Sequence, residues 1–282
     1  MSKRKIPTVM KFGGTSVQDA KAFARVAEIV AGEKGNSPVV VTSAMAKVTD
    51  ALLQAFDLAK KGDFETGFNS LKTHFERHSQ VSRKLTDKNQ QKSFQTELDF
   101  AKKELSDLLI RVSRRSLPLQ MLKDAIVSYG EQLSSRLLAE VCKAKGLNAR
   151  QMDSRRLIVT DDEYGAAAPI WDETEKLIQL ELENLIKAGE IPILGGFIAA
   201  SRGGETTTLG RGGSDYSAAL VGAALRAREI QIWTDVTGVL TCDPRICPEA
   251  RTLKTLSYEE AAELAYFGAK VLHPKTIQPA VD

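Results

Sequence analysis

The run Thr207-Thr208-Leu209-Gly210-Arg211-Gly212-Gly213-Ser214-Asp215 places a guanidinium, three glycines and a carboxylate side by side, just before the apolar stretch Tyr216–Val221. Ser214 has the character of a helix N-cap, and the residues after it read as a helix. Glycines ahead of a helix let backbone N–H groups converge on an anion, and the helix terminus adds partial positive charge. Arg211 can grip a carboxylate or phosphate with its planar fork, while Asp215 can hold an ammonium group or a magnesium-bound water. One loop thus offers partners for both ends of an amino acid beside a phosphate-friendly backbone. Taken singly, the same residues also read as a plain Gly-rich turn capping a core helix.

Three further segments have phosphate-type chemistry. Thr8–Ser16 runs from an apolar strand, with Lys11 at its end, through the turn Gly13-Gly14 into a helix expected near Val17. It lacks the spaced glycine and Gly-Lys-Ser/Thr of a Walker A loop. Ile230-Gln231-Ile232-Trp233-Thr234-Asp235 reads as a strand ending in Asp235, followed by Gly238 and Asp243-Pro244-Arg245. Phe267-Gly268-Ala269-Lys270-Val271 sets a second lysine after a helix that opens with a Ser257/Glu260 capping box.

The elements that must hold these groups read as α/β. Thr8–Phe12, Pro38–Thr42, Leu157–Thr160, Ile191–Gly195 and Ile230–Thr234 are short apolar runs expected as strands buried on both faces. Helical patterns at Val17–Ala31, Asp172–Ala188 and Ser214–Ala227 alternate with them, which implies a mostly parallel sheet flanked by helices on both faces. Sites in such sheets form at the carboxyl ends of the strands. From Asp50 to about Lys145 the chain is charged, helix-forming and nearly free of glycine and proline, a helical excursion that returns Glu131 to the site. His74 and His78, one helical turn apart within it, read as a solvated face, since two ligands do not complete a metal site. His273, before a proline, reads as structural.

Composition excludes several classes. A net charge of +3, from 39 basic and 36 acidic residues, gives no electrostatic case for nucleic acid. No membrane-length apolar segment or signal-type stretch is evident, and three cysteines (Cys142, Cys242 and Cys247) make no disulfide framework, so a cytoplasmic setting is expected.

Six blocks in order carry a family resemblance: KFGGTSV at Lys11–Val17, VTSAMAKVTD at Val41–Asp50, YGEQLSS at Tyr129–Ser135, TLGRGGSDYSA at Thr208–Ala218, TDVTGVLTCDPR at Thr234–Arg245 and FGAKVLHPKT at Phe267–Thr276. On these the chain resembles the aspartate kinases of the amino-acid-kinase family. The resemblance implies a three-layer sandwich, with an amino-acid-binding lobe at about 6–205 and a nucleotide-binding lobe at about 206–282. It implies that ATP and L-aspartate, with Mg2+, give 4-phospho-L-aspartate and ADP, the first step toward lysine, threonine and methionine. Lys11, Gly13, Gly14, Thr234, Asp235, Leu240, Arg245, Lys270 and Val271 would serve ATP. Ser43, Thr49, Glu131, Arg211, Ser214 and Asp215 would hold aspartate, with Lys11, Lys270 and Asp215 catalytic and Asp215 organising the metal through water. Self-association into a homodimer is left open.

Thr237, Leu240 and Tyr129 depart from the family's usual residues and bear on pocket shape. Family members continue into paired ACT regulatory domains and this sequence stops at Asp282, so no feedback by lysine or threonine is expected of these 282 residues. Two rivals stand beside this reading: a same-fold kinase acting on glutamate, acetylglutamate or a nucleoside monophosphate, and a non-catalytic module that binds nucleotide or amino acid.

Overall fold

The computed structural model describes residues 6–235, 238–242, 247, 249–266, 276 and 279. Eight strands are present among them: β1 (Thr8–Phe12), β2 (Pro38–Thr42), β3 (Ala149–Met152), β4 (Val159–Thr160), β5 (Ile191–Gly195), β6 (Ile198–Ser201), β7 (Thr206–Thr208) and β8 (Glu229–Trp233). The helices are α1 (Ala20–Gly32), α2 (Val48–Lys60), α3 (Phe64–Ser70), α4 (Lys72–Leu85), α5 (Lys88–Arg114), α6 (Leu119–Ala144), α7 (Trp171–Lys187), α8 (Gly213–Leu225) and α9 (Tyr258–Tyr266).

The main sheet has the order β3-β5-β2-β1-β8, and every pair in it is parallel. Side chains alternate across a strand, so its two faces feed two separate cores. Met10, Phe12, Val40 and Ile193 pack with residues of α1, α2, α4, α5 and α6 on one face. Val9, Val39, Val41 and Leu194 pack with residues of α7 and α8 on the other. This is the expected α/β sandwich with helices on both faces. A smaller mixed sheet, β4-β6-β7, sits beside it, with β6 and β7 antiparallel.

β1, β2 and β5 have the expected boundaries, and β2 and β5 are buried along their whole length. Three expectations change. The run at Leu157–Thr160 contributes just Val159–Thr160, in the small sheet, because the chain turns through a short 3-10 segment at Ser154–Arg156 immediately before it. β8 is not buried on both faces: it lies at the end of the strand order, and Glu229 and Trp233 are exposed. The helix expected near Val17 is a 3-10 turn at Gly14–Val17, and α1 begins at Ala20, where the Asp19 carboxylate accepts from the Ala22 N–H.

The helical excursion is α2 through α6. His78 is part of its interior rather than a solvated face: it is buried, and its Nδ1 lies 2.8 Å from the His74 carbonyl. Burial disfavours the imidazolium, holding its pKa down at about 4. Among the described residues no group of three or more His, Cys, Asp or Glu side chains is placed to hold a metal ion, and no helix is long and apolar enough to cross a membrane.

Candidate active site

Four parallel strands end in one row. Phe12 is in register with Thr42 on one side and Trp233 on the other, and Thr42 with Gly195. The segments that leave this row are therefore neighbours: Gly13-Gly14, Ser43–Lys47, Gly196-Phe197 and Thr234-Asp235. The first two touch directly, since Ala46 N–H donates to the Gly14 carbonyl at 3.1 Å. A Cβ at Gly14 would stand 2.9 Å from the Ala44 carbonyl oxygen, so any side chain there would force the loops apart. At Gly196 a Cβ would stand 2.7 Å from Ser214 Cα, which is how the β5–β6 turn reaches the start of α8.

Helix α6 passes behind these loops and supplies three buried polar groups. Asp124 Oδ2 accepts from the backbone N–H of Thr208 and of Gly165, both at 2.8 Å, tying the end of β7 to the loop before α7. Ser134 Oγ donates to the Ser43 carbonyl at 2.6 Å. Glu131 Oε1 accepts from Ala44 N–H at 3.1 Å, while Oε2 is buried with no hydrogen-bond partner. Glu131 is 3% exposed, and removal from water pushes its pKa up to about 8, the Ala44 N–H pulling weakly the other way. A buried carboxyl with one oxygen unpartnered is suited to receive a cation.

Lys11, Ser43, Thr49, Glu131, Ser214 and Asp215 line one cavity of about 300 Å3, together with Phe197 and the glycines around Arg211. Lys11 Nζ lies 2.6 Å from Asp215 Oδ1, and both side chains are largely buried. The cavity thus has an ammonium beside the Gly13-Gly14 turn and a receptive carboxyl at Glu131. Arg211 is exposed, between the lining residues Gly210 and Gly212. Ser214 is not the N-cap of α8: Gly212, with φ +73° and no side chain to cap with, holds that position, and Ser214 sits in the first turn, facing the cavity.

A second cavity of about 800 Å3 runs along the outer side of β8 and meets the first at Asp215. None of Thr234, Asp235 and Leu240 lines either cavity. Thr234 and Asp235 are exposed at the end of β8, where Thr234 Oγ1 donates to Asp235 Oδ1 at 3.3 Å, and Leu240 bridges to Thr252. Arg245, Lys270, Val271 and His273, with the departure at Thr237, lie outside the described residues. The Ser257/Glu260 capping box forms as expected at the start of α9.

Residue chemistry did not single out Phe197, Asp124 or the Ala44 amide. Phe197 holds φ +68° and lines the cavity, its N–H donating to Ser217 Oγ at 2.9 Å. Gly195-Gly196 before it was a signal that the chain bends sharply there. Asp124 had a weaker one, an acidic residue seven positions before Glu131 and so on the same helix face.

The parallel sheet thus gathers its glycine turns, a lysine and two carboxylates at the strand ends. The chain belongs to the amino acid kinase family, whose model matches residues 7–282. Among characterised proteins it is 38% identical, over 275 residues, to bifunctional aspartokinase/homoserine dehydrogenase 2, chloroplastic, of Arabidopsis thaliana, covering 97% of this chain and 30% of that protein. It is 37% identical to lysine-sensitive aspartokinase 3 of Escherichia coli (strain K12), covering 97% of this chain and 59% of that protein. The crystal structure of E. coli aspartokinase III in complex with aspartate and ADP superposes with a TM-score of 0.87 at 36% identity, over 98% of this chain and 59% of that one. The chain thus spans between about a third and three fifths of the length of these relatives.

Proposed function

We propose that the chain transfers the γ-phosphoryl group of ATP to the side-chain carboxylate of L-aspartate, giving 4-phospho-L-aspartate and ADP. The observation that carries this reading is the single cavity with Lys11 and Asp215 beside the glycine turn and the unpartnered Glu131 oxygen in its wall. The bound ligands of the E. coli relative, aspartate and ADP, support the same pair of substrates. The lobes at about 6–205 and 206–282 share one sheet in this reading, through the pairing of β1 with β8.

A substrate carboxylate is already ionised at neutral pH, so no general base is required. One of its oxygens forms a bond to the γ-phosphorus as the bond from that phosphorus to the β–γ bridging oxygen breaks, and the electron pair leaves with ADP. The barrier lies in bringing two anions into line and neutralising the charge that develops. Lys11, with the amides of Gly13 and Gly14, faces the phosphates, and Asp215 holds Lys11 in place. Glu131 takes the α-ammonium, while Arg211 closes on the α-carboxylate from its exposed position. Ser43, Thr49 and Ser214 provide hydroxyl partners. Thr234, Asp235 and Leu240 serve the nucleotide, with Arg245, Lys270 and Val271 added on the sequence blocks alone. One carboxylate fits Mg2+, which binds proteins through few carboxylates and is otherwise held by water and substrate phosphates. Asp215 would hold it through water, and the ion would neutralise phosphate charge.

A hydroxamate assay with ATP, magnesium and a panel of amino acids tests the reading. Aspartate should be turned over and glutamate, longer by one methylene, strongly disfavoured, because both ends are held and the extra carbon throws the nucleophile off line. Equal rates with glutamate would overturn the aspartate assignment.

A further inference from the structure

Arg77, on α4 in the helical excursion, is far in sequence from every residue that lines the cavity, yet its guanidinium reaches both loops that face the Lys11 end of the cavity. Nη1 and Nη2 each donate to the Ala46 carbonyl at 3.0 Å, and Nη2 also donates to the Gln18 carbonyl at 3.0 Å. Gln18 closes the 3-10 turn that begins at Gly14, and Ala46 lies between Ser43 and Thr49. Nη1 further contacts His74 Nδ1 at 3.3 Å, one helical turn back. Among the described residues Arg77 forms no ion pair with a carboxylate. A guanidinium whose donors go to backbone carbonyls of two separate loops fixes geometry rather than balancing charge.

Backbone strain points to the same place. Among the described residues five non-glycine residues have left-handed φ; Ser37, Arg115 and Arg226 cap the ends of helical segments, where that conformation is routine. Of the other two, Phe197 lines the cavity and Lys47 lies in the loop between the lining residues Ser43 and Thr49. Lys47, at φ +69°, directly follows the carbonyl that Arg77 holds, and it begins the helix that carries Thr49. Such a conformation persists where its surroundings over-determine it.

We propose that Arg77 is a positioning residue for the reaction: it clamps the Gly13-Gly14 turn to the Ser43–Thr49 loop, so that the phosphate-facing and amino-acid-facing groups stay in register. The inference rests on the proposed assignment of that cavity. Two charge-assisted clamps are lost in Arg77→Ala, and kcat/KM for both ATP and the amino acid should fall about 10- to 100-fold. Arg77→Lys keeps the charge but replaces the planar fork with a shorter, single ammonium and loses the second bond to the Ala46 carbonyl, so it should recover only part of what Arg77→Ala loses.

The test measures the KM values for both substrates in the two variants, with thermal denaturation alongside, and adds guanidinium or ethylguanidine at concentrations far below those that denature. The expected result is a joint rise of both KM values, in protein that remains folded, with partial recovery of Arg77→Ala by the added guanidinium. Kinetic constants within twofold of the unsubstituted protein in both variants, or a folded Arg77→Ala that no guanidinium recovers, would overturn the proposal. If the unsubstituted protein fails to use aspartate, the substrate reading falls alone, and ADP affinity of the same variants by calorimetry still decides the clamp. No ADP binding by the unsubstituted protein removes both.

Discussion

Binding of an amino acid to this cavity should expel a proton. Glu131 is buried in the cavity wall, with Oε2 unpartnered and its carboxyl pushed up to about 8 by burial. At pH 7 such a group is about nine-tenths protonated, so an arriving ammonium must displace close to one proton per site. Apparent affinity for aspartate should rise about tenfold from pH 6 to 7 and level off above about pH 8, where the carboxylate is already charged. The same shift acts on stability. The folded-state value lies above the unfolded 4.5, so the contribution is complete below about 4.5 and is lost as pH rises through 8. Over that window the ceiling is about 5 kcal/mol, at about 1.4 kcal/mol per pH unit. Glu131→Gln should therefore raise the melting temperature of the ligand-free protein at alkaline pH while weakening aspartate binding by about 10² or more, through loss of a charge-assisted partner. Calorimetric titration of aspartate in buffers of different ionisation enthalpy counts the protons directly. No release at pH 7, or equal release from Glu131→Gln, refutes the reasoning.

The other expectations follow from the same cavity, and for Lys270 from its sequence block alone. Lys11→Ala should lower turnover about 10²–10³-fold with the fold intact, the range for losing a preorganised contact to developing charge, and Lys270→Ala should do likewise; steady-state kinetics decide each separately. Arg211→Lys should raise the KM for aspartate although its charge survives, because the bidentate fork is gone; an unchanged KM would remove Arg211 from the α-carboxylate. Asp124→Ala leaves the N–H groups of Thr208 and Gly165 without their acceptor, at about 1–3 kcal/mol each, and should lower both melting temperature and affinity for the amino acid. Asp124→Asn, which keeps an acceptor oxygen, should recover most of both.

What could be read from residues alone was whatever rested on local signals. The short, mainly apolar runs of β1, β2 and β5 marked buried strands, and six of the proposed site residues converge on one cavity because the motifs already lay at strand and helix ends. What escaped depends on partners distant in the chain. β3, with Arg150 and Gln151, and β7, three threonines, are strands because of the neighbours they pair with rather than by composition. Ser214 had the chemistry of a cap, but Gly212 can adopt the left-handed turn that the loop needs, and it displaced Ser214 by two positions. His78 looked solvated beside charged neighbours, yet α4 turns that face inward. Asp124 and Arg77 act through backbone groups 84 and 31 residues away, a relation no local pattern encodes.

The order of the main sheet also governs how the molecule comes into being. β1 precedes the other strands of this sheet in the chain, yet its neighbours are β2, which follows closely, and β8, whose Glu229 lies opposite Thr8. β5 joins β2 only after the whole helical excursion has been made. A nascent chain can therefore close the β1–α1–β2 unit early, but β1 keeps one open edge until some two hundred further residues have emerged. Non-local parallel pairing of this kind slows folding and leaves strand edges exposed in the meantime. Lys11 meets Asp215 at that same late stage. Ribosome-bound chains halted before β8 should thus hold a partly formed sheet whose unpaired edge is a natural target for chaperones, and the cavity should close only after α8 has brought Asp215 to Lys11.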